Sequence, residues 1–370
     1  MKIAIVLNTS WNIYNFRMGL IRSLQAEGHE VHAIAPTDKY SEYLVEAGCV
    51  FHKVKMDSRG ANPIKDLALT FELFFIYRKL RPDVILHYTI KPNIYGTFAA
   101  HLLGIPCVNN VCGLGTVFLK DNFVSWVAKA MYKMAFRFPE KIFFQNIQDQ
   151  EFFIESKLAP AKHTDLLPGS GIDFNRFAPR QKNANPKKFT FLMVSRLIHD
   201  KGVLEYIEAI RLLKSEGIEA DFQFLGAKDP LHQRGISVEL IDSWIEDKTI
   251  NYLGTTDDVR DFISAADCVV LPSYREGTPR TLLEAASMQK PIVATDVPGC
   301  NNVVDNGKNG LLCAMKDASD LADKMRQMMH LSEEERSQMG AYGRDKVMHN
   351  FDEKIVIDRY IETIRQYKSA

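Results

Sequence analysis

At 370 residues the chain exceeds what one comfortable hydrophobic core organises, so two domains are expected. Hydrophobic residues make up 46% and charged residues 25%, which excludes an extensively disordered or fibrous chain. Lys plus Arg equals Asp plus Glu at 46 each, so no global field draws the chain to nucleic acid, and no nucleic-acid partner is expected.

The amino terminus, M-K-I-A-I-V-L-N, carries five apolar residues before the pattern turns polar. That run reads as a first strand rather than a secretory leader. Further short apolar runs at 30–35, 50–54, 84–87, 107–111 and 141–144 alternate with helical stretches, the pattern of strand and helix units stacking into a parallel sheet. Near residue 179 the pattern breaks into P-R-Q-K-N-A-N-P-K-K, polar and bounded by prolines, which reads as an interdomain linker. A second series follows, at 189–194, 222–225, 250–253, 268–271 and 291–295. Several of these runs end on a small or polar residue where a helix begins, as at Gly226, Gly254 and Ser273. Ligands of open parallel sheets bind at such carboxyl edges, so the site is expected between two lobes. The expected division is a first domain over 1–180, a second over 181–350, and a terminal helix over 351–370 that packs back on the first through Ile355, Ile357, Tyr360, Ile361 and Ile364. No stretch approaches the roughly 20 apolar residues a bilayer span needs. The six cysteines contain no C-x-x-C pair and lie mostly in strand-like runs, which fits free thiols in a reducing cytoplasm.

Residues 267–284, D-C-V-V-L-P-S-Y-R-E-G-T-P-R-T-L-L-E, form a buried strand, a Gly and Pro loop, and a helix beginning near Thr281. Free backbone N–H groups and the positive dipole end at such a helix start suit a diphosphate, and Gly277 lets the chain approach a ligand closely. Glu284, one turn in, is suited to the two hydroxyl donors of a ribose. A single glutamate is ordinarily a solvated charge, so the reading depends on a second segment, V-S-R-L-I-H-D-K-G at 194–202. There Arg196 and Lys201 bring two cations to another carboxyl edge, where one diphosphate meets both. His199 reads as a bystander.

These segments, together with G-I-D-F-N-R-F at 171–177, N-Y-L-G-T-T-D-D-V at 251–259 and D-N-G-K-N-G-L-L at 305–312, resemble the retaining glycosyltransferases of family four, whose GT-B fold comprises two Rossmann-like doubly wound α/β domains facing a cleft. The resemblance implies that Arg196 and Lys201 hold the donor diphosphate and Glu284 the ribose. It also implies that Glu276, with Gly277 and Thr278, faces the transferred sugar, that Gly226 and Pro279 line the donor site, and that the backbone at Thr281 and Leu282 adds phosphate contacts. It implies no cofactor and no metal, only a nucleotide-sugar donor of a hexose or N-acetylhexosamine, with UDP-linked GalNAc or GlcNAc as the family-weighted choice.

The first half departs from much of that family. N-T-S-W-N-I-Y-N-F-R replaces the usual glycine-rich loop, and N-V-C-G-L-G stands where a histidine is usual. N-F-R at 15–17, H-Y-T-I-K-P-N-I-Y-G at 87–96 and C-G-L-G-T-V-F at 112–118 resemble a subgroup that assembles bacterial surface glycans on undecaprenyl diphosphate. Asn15, Arg17, Lys91 and Gly113 are thereby candidate acceptor-binding residues, with Arg17 and Lys91 the candidate diphosphate cations, although either equally suits a structural ion pair. Residues 117–141 mix apolar and aromatic side chains with Lys120, Lys129, Lys133, Arg137 and Lys141. Such a face suits the anionic inner leaflet, or equally a core helix whose lysines meet water. The alternatives are a UDP-sugar 2-epimerase of the same fold, which needs only the donor, and a catalytically silent sugar-binding partner, which would lack the phosphate ligands. A dehydrogenase is disfavoured because no G-x-G-x-x-G follows the first strand.

Overall fold

The structure, a computed structural model, describes residues 1–57, 62–114, 123–180, 188–232 and 234–367. The linker at 181–187, Lys120 and the end of C-G-L-G-T-V-F lie outside these residues. The chain divides into two compact units, Met1–Ser170 with Glu353–Ala370, and Gly171–Asp352.

The first unit holds β1 (Lys2–Val6), β2 (Glu30–Ala35), β3 (Val50–Lys53), β4 (Val84–Tyr88), β5 (Cys107–Val111), β6 (Lys141–Phe144) and β7 (Thr164–Leu166). They form one parallel sheet in the order β3-β2-β1-β4-β5-β6-β7. Ile3 to Val6 and Val84 to Leu86 are fully buried, as strands covered on both faces must be, and this is why they read as unbroken apolar runs. β7 has three residues, T-D-L, too short and polar to announce itself.

The second unit holds β8 (Phe189–Val194), β9 (Ala220–Leu225), β10 (Asn251–Tyr252), β11 (Cys268–Leu271), β12 (Ile292–Thr295) and β13 (Gly310–Cys313), again parallel, in the order β10-β9-β8-β11-β12-β13. In each unit the order runs outward in both directions from a central pair, β1 and β4 or β8 and β11. The loops leaving those two strands therefore part to opposite sides and open a crevice at the carboxyl edge.

The units divide earlier than the polar linker indicates. Residues 171–180 belong to the second unit rather than the first. Ile172 N–H donates to Phe351 O at 2.8 Å, and Ile172 and Phe177 are buried among Leu282, Leu283 and Val347. The terminal helix, Glu353–Arg365, sets Val356, Tyr360 and Ile364 into the core of the first unit beside Ile3, Ile5 and Leu20. The spacing of four residues puts all three on one face.

His87, at the end of β4, shows how polar groups are held in this core. Its Nε2 meets Tyr77 Oη and its Nδ1 meets Asn109 Oδ1, each at 3.0 Å, and the ring is wholly buried. A neutral imidazole satisfies both partners, donating at Nδ1 to the amide oxygen and accepting at Nε2 from the phenol. Burial pushes its pKa down to about 4. The folded state thus binds fewer protons than the unfolded chain at any pH between the unfolded value of about 6.5 and the folded value. Stability from this group is complete above that window and declines as pH falls through it, by about 1.4 kcal/mol per unit. Urea midpoints measured from pH 7 to pH 5 are expected to fall, and a flat profile would contradict this.

Candidate functional site

In the second unit two loops meet at the split between β8 and β11. The loop after β8 runs through Arg196 into a short 3-10 turn, His199–Lys201, and Gly202 then starts the next helix. Gly202 has φ +71°, and a Cβ there would lie 1.9 Å from Pro272 O. Only glycine lets this loop rest on the one after β11. The two are laced together where Ser273 Oγ and Tyr274 N–H both donate to Asp200 O, at 3.0 and 2.9 Å. Arg234 Nε donates to Asp200 Oδ1 at 2.9 Å, and the His199 N–H donates to Arg234 O at 2.8 Å. His199 is thus held by its backbone, in keeping with a bystander.

This lacing brings Lys201 to Glu276, and the ammonium donates to Glu276 Oε1 in a mostly buried ion pair. Glu276 N–H donates to Pro298 O at 3.2 Å. Gly299, with φ +88°, passes so close that a Cβ would stand 2.6 Å from both Glu276 O and Gly277 O. The shape of the E-G-T-P loop therefore depends on a glycine over twenty residues away, a requirement that the sequence pattern did not single out. Arg196 is looser: its side chain is 55% exposed and its Nη1 lies 3.8 Å from Asp229 Oδ2. It has the reach to turn toward an anion.

The helix Arg280–Ser287 begins one residue before the expected start at Thr281. Thr281 Oγ1 donates to Val194 O at 3.3 Å, which fixes the helix start against the end of β8. Pro279 at the cap supplies no side-chain acceptor to the first N–H groups. Glu284 is buried, and burial raises its pKa while Arg280, whose Nε lies 3.2 Å from Oε1, opposes the rise. Arg280 also donates from Nη1 to Gly171 O at 2.7 Å. The sequence reading had no role for Arg280, yet its i,i+4 spacing to Glu284 was a usable signal. Gly226 closes the crevice at the end of β9, where its N–H donates to Gly254 O at 2.8 Å and its carbonyl accepts from Tyr252 Oη at 2.9 Å. Arg196, Lys201, Gly226, Glu276 to Pro279, Thr281, Leu282 and Glu284 thus lie on the loops and helix start at one sheet edge. The arrangement offers cations, the N–H groups of a helix start, of which that of Leu282 also donates to Pro279 O at 3.0 Å, and two carboxylates, which suits a ligand with a diphosphate and several hydroxyls.

In the first unit, Asn15, Arg17, Lys91 and Gly113 follow the ends of β1, β4 and β5. Thr9 caps the helix Ser10–Ala26 by accepting from Asn12 N–H at 3.2 Å, and Asn15 Nδ2 donates within that helix to Trp11 O at 2.9 Å. Arg17 is buried with its guanidinium carbon 4.3 Å from the centroid of the Tyr88 ring. Its Nη1 donates to Phe16 O at 3.0 Å, and its Nη2 lies 3.9 Å from Cys112 Sγ, beside Gly113. Among the described residues no carboxylate pairs with it, and its Nε has no hydrogen-bond partner. Lys91 differs: it pairs with buried Asp66 at 2.7 Å, and Tyr95 Oη donates to the other carboxylate oxygen at 3.1 Å. Of the two roles open to Lys91, the structural ion pair is the one found, and Arg17 is left as the uncompensated cation. Cys112 is half-buried while the other five thiols are buried, and all six are free. Among the described residues no group of three or more His, Cys, Asp or Glu is placed to hold a metal, and no helix is long and apolar enough to cross a membrane.

Two parallel sheets of this order, each with its loops at a central split, define a GT-B α/β fold. The family models agree: residues 174–346 match the group 1 glycosyl transferases and residues 2–146 match the glycosyl transferase 4-like family. The chain belongs to the family-four glycosyltransferases and is an enzyme of glycosyl transfer. Among its relatives is the N,N'-diacetylbacillosaminyl-diphospho-undecaprenol alpha-1,3-N-acetylgalactosaminyltransferase of Campylobacter jejuni, 30% identical over 98% of both chains. Another is the UDP-Gal:alpha-D-GlcNAc-diphosphoundecaprenol alpha-1,3-galactosyltransferase of Escherichia coli, 27% identical over 70% of this chain and 69% of that one. Among solved structures, sucrose-phosphate synthase from Thermosynechococcus elongatus superposes with a TM-score of 0.82 at 18% identity, covering 100% of this chain and 99% of that one. The Anabaena HepE protein in complex with UDP-glucose gives 0.80 at 18% identity, covering 99% of this chain and 100% of that one. At such identities the structural likeness speaks for the fold alone.

Proposed function

We propose that this protein is a retaining transferase that moves an N-acetylhexosamine from a UDP-sugar onto a saccharide carried by polyprenyl diphosphate. The observation that carries the reading is the donor set at the β8 and β11 loops, with Lys201 held against Glu276 at the start of the Arg280–Ser287 helix. In this reading Arg196 and Lys201 bind the donor diphosphate, helped by the backbone N–H groups at Thr281 and Leu282. Glu284 accepts from the ribose hydroxyls, and Glu276, with Gly277 and Thr278, meets the sugar. The bond from the anomeric carbon to the diphosphate breaks as the acceptor oxygen bonds to that carbon on the same face, and the acceptor proton passes to the departing phosphate oxygen. Charge growing on the leaving group is met by Lys201, held against Glu276, and by Arg196, which has the reach to turn toward it, so the reading assigns that task to the chain and calls for no metal or other cofactor.

The acceptor class is supported by the undecaprenol-linked substrates in the names of both relatives and by Arg17. A buried guanidinium without a counter-ion costs much free energy, and a diphosphate would relieve that cost. In this reading the enzyme works as a peripheral protein at the cytoplasmic face of a membrane, where a lipid-borne acceptor would be met. The deciding assay offers a panel of nucleotide sugars with undecaprenyl-diphosphate-linked saccharides and follows product and anomeric configuration. Transfer from one UDP-N-acetylhexosamine with retention is expected. Donor epimerised without acceptor, and no transfer from any pair, would overturn the proposal.

A further inference from the structure

The helix Pro63–Leu80 has two apolar faces. Leu69, Leu73, Tyr77 and Leu80 are buried against the first unit's sheet. Opposite them Ile64, Leu67, Phe71 and Phe75 are 80%, 59%, 56% and 60% exposed. At about 100° and 1.5 Å per residue, these four fall in one outward stripe about 16 Å long. Scattered exposed apolar residues are ordinary, whereas four large ones in line on a single helix form a patch of the kind that marks an interaction surface. Such a helix has little one-sided periodicity, so this stripe escaped the sequence reading, which had offered membrane contact at 117–141 as one of two equal alternatives.

The neighbouring elements extend the surface. Both this helix and the helix Phe123–Ala135 pack on the turn Pro92–Gly96, and the second helix exposes Trp126 to 65%. Phe138, just beyond it, stacks on His101 of the Thr97–Leu102 helix with ring centroids 3.7 Å apart. Charge selects the partner. The first helix carries Arg78 and Lys79, and Lys65, which pairs with Asp57 at 3.5 Å, while its carboxylates are engaged: Asp66 is buried against Lys91, and Glu72 accepts from Lys55 N–H at 3.1 Å. The helix Phe123–Ala135 contains no acidic residue, and Lys133 and Arg137 at its end are exposed. Apolar side chains rimmed by cations fit acyl chains beneath anionic headgroups.

We propose that the first unit docks on an anionic bilayer through the stripe Ile64, Leu67, Phe71 and Phe75, with Trp126 beside it and Arg78, Lys79, Lys133 and Arg137 at the headgroups. The inference rests on the peripheral-membrane part of the reading above and names the surface that performs it. Co-sedimentation of the full chain with phosphatidylglycerol and phosphatidylethanolamine vesicles, against pure phosphatidylcholine, tests it. Binding to the anionic vesicles is expected, at least tenfold weaker in the double variant Phe71→Ser, Phe75→Ser and in Arg78→Glu, Lys79→Glu. Transfer to a water-soluble, short-prenyl diphosphate acceptor is expected to be unchanged in both. Wild-type protein that binds no vesicle would overturn the docking, as would a serine variant that binds like wild type. A micromolar dimer seen by light scattering and abolished by the serine pair, with no vesicle binding, would assign the stripe to a second copy instead. Failure of the wild type to use the soluble acceptor would strike the transferase reading while leaving vesicle binding to be judged separately.

Discussion

Lys201→Ala is expected to lower kcat on the order of a hundredfold to a thousandfold, with a much smaller change in donor KM. The ammonium is fixed before any ligand arrives, because it is tied to Glu276 and because Gly202 seats its loop on Pro272. A cation held in place incurs little reorganisation when the diphosphate departs, and its attraction grows as charge moves onto the leaving group. That is an interaction stronger in the transition state than in the bound donor, so its loss falls on turnover. The same substitution leaves the mostly buried Glu276 carboxylate without its counter-charge, and a destabilisation of roughly 1–3 kcal/mol should accompany it. Thermal unfolding and single-turnover kinetics separate the two effects. Lys201→Arg retains the charge and is expected to recover part of the turnover. Near-normal transfer by the alanine variant would remove Lys201 from the catalytic role assigned above.

Gly226→Ala is expected to be the most damaging single-methyl change in the second unit. A Cβ at this position would stand 1.7 Å from Ser195 O, and φ is +153°, a conformation that side-chain-bearing residues rarely adopt. Both obstacles are backbone, so neither can be relieved by turning a side chain. The β8 loop carrying Arg196 has to lift away from β9, or the Gly226 to Gly254 hydrogen bond at 2.8 Å has to break. Strain and overpacking together cost on the order of 3 kcal/mol or more, which lowers the melting temperature of a unit this size by roughly 10 °C. Donor KM should rise as well, since Arg196 is displaced. Gly217→Ala is the control, because Gly217 also has a positive φ, +78°, but its added Cβ would meet nothing within 4 Å. Equal melting temperatures for the two variants would show that close approach at Gly226 is unimportant.

Much of the architecture was legible because parallel strands buried on both faces must be apolar throughout. β2, β5, β6, β8 and β11 occupy the residues read from the sequence alone. β7 escaped because T-D-L is too short and polar to stand out from loop, whereas β13, G-L-L-C, was passed over although it is as long as β6 and β11. The chain crosses into the second unit at Gly171, before the polar linker, because the apolar Ile172 and Phe177 find their core there; composition marks where a chain is polar, not where its neighbours lie. At the site, residue types in order singled out Arg196, Lys201, Glu276 and Glu284 as candidates. The pairing of Lys91 with Asp66, 25 residues apart, was invisible without the fold. So was the dependence of the E-G-T-P loop on Gly299, since the space a Cβ would occupy leaves no periodic trace.

The terminal helix has a consequence for how the protein is made. Val356, Tyr360 and Ile364 belong to the same core as β1, which is synthesised long before them. Domains generally fold in the order in which they leave the ribosome, at about 5–20 residues per second. Here that order is inverted: Gly171–Asp352 is translated in full before the first unit receives its last helix. For roughly ten seconds or more the older half waits with an open apolar seam. The seam closes only when the helix Glu353–Arg365 has been made.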